Sequence, residues 1–90
     1  MLVCLMALDK LGALQVRKDT RDAHLGYLTE MGNVTTGGPL KDANGDMCGS
    51  MLVLDVPDLA TAEVWAANDP YAKAGLFENV TLHEWVKVLP

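Results

Sequence analysis

Leu2-Val3-Cys4-Leu5-Met6-Ala7-Leu8, closed by Asp9-Lys10 and a glycine at position 12, is the stretch that decides the fold. Seven apolar residues that stop at a charged pair have the length of a strand and are too short for a buried helix of ordinary size. A strand that is apolar on both parities is covered on both faces, so it belongs in the middle of a sheet. Met51 to Val56 reads the same way, with Asp55 its only charge. These two runs are the predicted central strands, and the remaining elements arrange themselves around them.

From Ala13 to Met31 the pattern turns helical, with Leu25, Leu28 and Met31 at intervals of three and Gly32-Asn33 as the stop. Val34-Thr35-Thr36 begins a strand that meets Gly37-Gly38-Pro39 at once. Proline has no ladder donor, so this strand lies at an edge or ends there. Lys41 to Asp46 carries Asn44-Gly45 and is read as a hairpin loop. Its Asp42, Asn44, Asp46 spacing lacks the glycine and closing glutamate of a calcium loop, which leaves a solvated turn. Pro57-Asp58 opens a second helix with Asp58 as its N-cap. Leu59, Ala62, Trp65 and Ala66 are its predicted buried stripe, and Pro70 ends it. Tyr71 to Gly75 is one short turn, and Phe77 to Leu89 is the final strand.

The order β-α-β-β-α-β over 1–90 predicts a single α+β domain. Two helices lie on one face of a four-stranded antiparallel sheet, with the Gly-Pro strand at an edge. The other face ought to alternate to polar residues, and it does not. Leu2, Cys4 and Met6 oppose Val3, Leu5 and Ala7 in the first strand, Met51 and Val53 oppose Leu52 and Leu54 in the third, and Trp85 opposes Val86 and Val88 in the last. A second copy of the same sheet is the expected cover, giving a homodimer.

Composition narrows the partners. The net charge is −5, with only seven Lys and Arg and no run of them, which excludes nucleic acid as a partner. Leu2–Leu8 lacks a basic flank and is too short to span a bilayer, so neither a signal peptide nor a membrane role is expected and the location is read as cytoplasmic. Cys4 and Cys48 are then thiols.

Three stretches carry candidate chemistry. Arg17, Arg21 and His24 share one edge of the first helix and make a basic margin suited to an anionic or phenolic substrate; a solvated stripe is the plain alternative. In Asn68-Asp69-Pro70-Tyr71, Asp69 stands where the second helix must end, a place where a carboxylate opposes the macrodipole. Its plain alternative is an ordinary turn. Gly37-Gly38-Pro39 permits close approach of a ligand to the backbone, and Gly49-Ser50 can place a hydroxyl beside it. His83 reads as structural or interfacial. No nucleophile elbow, phosphate loop, dinucleotide fingerprint or metal-ligand spacing is present, so neither a cofactor nor a metal is expected.

Arg21-x-x-His24-Leu25-x-Tyr27-Leu28, Gly38-Pro39, Gly49-Ser50 and Asp69-Pro70-Tyr71-x-x-Ala74-Gly75, in that order, resemble the YCII (YciI-like) proteins. The resemblance spans essentially the whole chain. It implies a ferredoxin-like sandwich that pairs into a dimeric α+β barrel, and a His-Asp pair that maps onto His24 and Asp69. A family member of similar chemistry is a dehydrochlorinase acting on a chlorinated hydroxyhydroquinone, and the related muconolactone isomerases share the dimeric barrel.

The leading expectation is a small cofactor-free enzyme of lyase or isomerase type. His24 shuttles a proton on a small hydroxylated ring or similar anion, and Asp69 holds the imidazole, an arrangement contributing about 10²–10⁴ in rate. Arg21 attracts negative charge, Gly38 and Ser50 supply donors, and Pro39 and Tyr71 complete the substrate wall. The alternative is a non-catalytic module that binds a small ligand in the same pocket. A third possibility has His24 and Asp69 too far apart to interact.

Overall fold

The computed structural model describes all residues, Met1–Pro90. Its elements are β1 (Leu2–Asp9), α1 (Leu14–Met31), β2 (Val34–Lys41), β3 (Met47–Asp55), α2 (Leu59–Asn68), α3 (Pro70–Lys73) and β4 (Phe77–Trp85). The strands form one sheet in the order β2-β3-β1-β4, every neighbouring pair antiparallel. β1 and β3 are central, as their doubly apolar sequences require, and the fold is the ferredoxin-like α+β sandwich.

Register explains the core. Val3 pairs with Leu54, Leu5 with Leu52 and Ala7 with Ser50, so one face of the two central strands presents an apolar block that closes on a hydroxyl. Val3, Leu5, Ala7, Leu52, Leu54 and Val56 pack with Ala62 and Trp65 of α2. Asp58 starts α2 by accepting from the Thr61 amide at 2.8 Å and the Thr61 hydroxyl at 2.7 Å. Gly32, at φ 68°, closes α1 in the left-handed conformation and donates its N–H to the Leu28 carbonyl. Asp42 closes the β2–β3 hairpin by accepting from the Asn44 and Asp46 amides, a self-contained turn.

Of the two alternatives for the Gly-Pro strand the edge position holds: β2 runs through Gly37-Gly38-Pro39 to Lys41, because as an edge strand it pairs with β3 alone and a proline there leaves one side unharmed. Three readings need correction. β3 begins at Met47 rather than Met51, which brings Ser50 into the sheet. β4 ends at Trp85 because Leu2 is the last β1 residue available to pair, so residues 86–89 run on without a partner. The predicted inner stripe of α1 is also displaced: Leu28 packs against the core, but Leu25 and Met31 are 40 % and 47 % exposed, and the helix turns Arg17 and His24 inward.

On the outer face, Cys4 and Leu2 are half-buried, while Met6, Leu8 and Trp85 are exposed. Cys4 and Cys48 are free thiols. No helix is long and apolar enough to cross a membrane.

Candidate functional site

A helix whose inward positions are an arginine and a histidine cannot lie flat on an apolar sheet. α1 instead stands over the β2–β3 side of the sheet and leaves a cavity of about 180 Å³. Arg21, His24, Leu25 and Leu28 line it from the helix, and Gly38, Pro39 and Ser50 from the strands, with Tyr71 closing one end.

The middle of α1 and the junction of α2 with α3, 45 residues apart in sequence, meet at its wall. His24 Nδ1 lies 2.8 Å from Asp69 Oδ1, and both residues are buried. A carboxylate only accepts, so Nδ1 carries a proton in this contact, and Nε2 is left with no protein partner. The same Asp69 oxygen accepts the Tyr71 amide at 3.0 Å. Asp69 thus ends α2 and caps α3 at once. The carboxylate that opposes the dipole of α2 sits at the favourable end of the next helix, so its position has a structural reason that the sequence reading missed.

The Tyr71 ring stacks on His24, with centroids 3.9 Å apart and an interplanar angle of 17°. The Arg17 guanidinium carbon lies 4.7 Å from the Tyr71 centroid. Burial pushes the Tyr71 phenol above its ordinary range, against the pull of Arg17 and Arg21. Burial likewise raises Tyr27, with the Asp69 charge adding to it, and the Tyr27 hydroxyl donates to the Trp65 carbonyl at 2.9 Å. Both phenols therefore stay neutral at physiological pH.

Arg17 and Asp9 were not singled out together by the sequence, yet they pair beside the cavity, with Arg17 on its wall and Asp9 behind it. Arg17 Nε reaches Asp9 Oδ2 at 2.7 Å, and Nη2 reaches Asp9 Oδ1 and Ser50 Oγ, each at 2.9 Å. Burial pulls the guanidinium down, but the hydrogen bonds and charge of Asp9 outweigh it and hold Arg17 above its ordinary value. The signal was present in parity, since Asp9 follows Val3, Leu5 and Ala7 on the inward face of β1. His83 lies elsewhere, on the outer face opposite Cys4.

Glycine serves packing here as well as access. A Cβ on Gly37 would collide with the Leu52 side chain, and one on Gly49 with the Ala7 carbonyl oxygen, whereas Gly38 has open space beside it. Of the residues proposed for the site, His24, Arg21, Gly38, Pro39, Ser50 and Tyr71 border one cavity, and Asp69 reaches it through His24.

The chain is similar to solved and curated proteins along nearly its full length. One solved structure, 5-chloro-2-hydroxyhydroquinone dehydrochlorinase (TftG) from Burkholderia phenoliruptrix AC1100 in complex with 2,5-dihydroxybenzoquinone, shares 35 % identity. It superposes with a TM-score of 0.89 over 96 % of this chain and 94 % of that one. Protein YciI of Escherichia coli is 34 % identical over 98 % of this chain and 99 % of its own length. An uncharacterized protein of Haemophilus influenzae is 30 % identical over 93 % of this chain. The YCII-related domain itself matches residues 1–86, and with these relatives it shows that the chain belongs to the YCII-related family.

Proposed function

We propose that this chain is a small lyase of the dehydrochlorinase kind, moving a proton on a hydroxylated six-membered ring with His24 as the base. The observation that carries the proposal is the buried His24–Asp69 hydrogen bond of 2.8 Å, which directs one ring nitrogen to the carboxylate and leaves the other for a substrate. The similarity to a dehydrochlorinase solved with a dihydroxybenzoquinone supports the substrate class. So does size: an apolar cavity of about 150 Å³ accepts benzene, and this one, at about 180 Å³, has room for a single ring with its oxygens.

In the proposed reaction a phenolic proton passes to His24 Nε2, and the oxygen's electron pair closes a carbonyl. The imidazolium returns the proton to the ring carbon that carries chlorine. Chloride then leaves as a second phenolic proton goes to solvent, so the net loss is HCl and the ring becomes a hydroxyquinone without an external oxidant. Asp69 holds the Nδ1 tautomer and stabilises the imidazolium, while Arg21, exposed at the mouth, attracts the anionic ring. No step in this scheme calls for a cofactor or a metal.

The test is turnover of 5-chloro-2-hydroxyhydroquinone by wild type and His24→Ala. Chloride release should fall by about 10²-fold or more in the variant. Equal rates remove His24 from the mechanism, and quinone binding without turnover by the wild type makes the pocket a binding module.

The assembly belongs to the same proposal. Met6, Leu8 and Trp85 stand exposed on the sheet face away from the helices, and a second copy is the proposed cover. Light scattering should give twice the chain mass, and Met6→Asp should halve it; a monomeric wild type refutes the pairing.

A further inference from the structure

Two arginines border the cavity, and their situations differ. Arg21 is exposed and has no carboxylate partner. Arg17 is 2 % exposed, and its charge is met by Asp9 through a two-point contact. The Asp9–Arg17 pair is therefore neutral as a unit and adds little to attraction for an anion. What it does have is a third bond, from Arg17 Nη2 to Ser50 Oγ at 2.9 Å. Ser50 is 4 % exposed, borders the cavity and donates to no protein atom.

We propose that Asp9 and Arg17 are positioning residues that hold the Ser50 hydroxyl as a hydrogen-bond donor to an anionic oxygen of the bound ring. The inference rests on the ring-substrate reading above and names how that ring is recognised.

A free serine hydroxyl rotates and serves equally as donor or acceptor. An arginine N–H directed at its oxygen takes one lone pair, polarises the O–H bond and strengthens it as a donor. Asp9 fixes the guanidinium plane, since a fork held at two points has no freedom left to turn from Ser50. The backbone prepares the arrangement. Ser50 pairs with Ala7, and Asp9 lies two residues beyond Ala7 on the same inward face, so adjacent strands present the carboxylate and the hydroxyl to one guanidinium from α1. A purely stabilising role explains this less well, because buried ion pairs replaced by apolar residues of similar volume commonly leave stability unchanged or improved.

The experiment is calorimetric titration with 2,5-dihydroxybenzoquinone, whose hydroxyls ionise readily because the charge spreads over the carbonyls. Ser50→Ala is compared with the apolar pair Asp9→Leu/Arg17→Met and with the triple variant, each checked for folding by thermal denaturation. Arg17→Lys, which keeps the charge beside Asp9 and loses the fork, is measured as well in case the apolar pair does not fold. Each change should weaken binding by about tenfold, the value of one hydrogen bond of this kind. The triple variant should be no weaker than Ser50→Ala alone, and so should Arg17→Lys combined with Ser50→Ala.

Losses that multiply to about a hundredfold would mean that the pair and the serine act independently, which overturns the proposal. Binding by the apolar pair or by Arg17→Lys at wild-type strength also overturns it, as does a wild type that takes no quinone. Turnover of the wild type and of His24→Ala separates this proposal from the reaction. Multiplying losses with turnover abolished in His24→Ala leave the proton transfer standing, and non-multiplying losses with turnover intact in His24→Ala do the reverse.

Discussion

Replacing Asp69 with asparagine or alanine separates what its charge does from what its shape does. Asparagine in the same rotamer keeps an oxygen for both His24 Nδ1–H and the Tyr71 amide, the two groups Asp69 Oδ1 now receives. A hydrogen bond to a charged group contributes about 1.5–3 kcal/mol and a neutral one about 0.5–1.5 kcal/mol. The difference is largest on the step in which His24 becomes positive, so Asp69→Asn should lower kcat by about tenfold and melt clearly above Asp69→Ala. Alanine removes both bonds. A buried His24 donor without a partner costs about 1–3 kcal/mol, and the lost α3 cap adds about 1 kcal/mol. For a domain of this size each kcal/mol is worth about 4–8 °C, so Asp69→Ala should melt at least about 8 °C lower. Turnover of 5-chloro-2-hydroxyhydroquinone and thermal denaturation of the three proteins give both readouts. If Asp69→Asn keeps full kcat yet melts as low as Asp69→Ala, the pair is a structural tie and the catalytic assignment is refuted.

The Asp58 carboxyl is held below its ordinary range by the Thr61 hydroxyl and then the Thr61 amide. Its contribution is therefore present above the ordinary carboxylate range and lost as pH falls through the depressed value. Asp58→Ala should melt a few degrees lower at neutral pH, with the gap to wild type closing in acid. Tyr71, raised chiefly by burial, acts at the other end of the scale. Its neutral form is favoured in the fold, so stability should hold up to about pH 10 and fall as pH rises through the raised value, less steeply in Tyr71→Phe, as urea midpoints across pH will show. Gly49→Ala drives a methyl group against the Ala7 carbonyl in a central strand pair that cannot move aside. Urea denaturation should register a loss of about 1–3 kcal/mol, and an unchanged midpoint would show that the strands yield.

Local features of the fold were legible because local rules govern them. The doubly apolar runs mark β1 and β3, Asp58 marks the start of α2, and Pro70 marks its end. His24 and Asp69 were legible as candidates, though the 2.8 Å contact between them depends on how two segments dock. Arg17 was read with Arg21 and His24 as a basic margin for an anionic substrate, not as a buried group, since an arginine on a helix is ordinarily exposed. Its burial is possible only because Asp9 meets it, and a pairing between a strand end and a helix face has no signature in either segment alone. The displaced stripe of α1 has the same origin. Leucine spacing identifies the apolar side of a helix only when the inward side is apolar, and here Arg17 and His24 take inward positions. Strand ends were misread where pairing, rather than composition, sets the limit, as at the Met47 start of β3 and after Trp85.

The uneven roles of the two long helices bear on how such a domain can be altered. α2 supplies Ala62 and Trp65 to the apolar block that holds the sheet, while α1 contributes none of its residues to that block's fully buried members. Leu25, Pro39 and Met47 border the cavity without belonging to the core or to the partly buried residues packed on it. Side chains at these positions are free to change in bulk and polarity at little cost to folding. Under the proposed function, specificity for one ring or another is thus a trait that can drift or be engineered separately from stability, with the His24–Asp69 pair and its scaffold left in place.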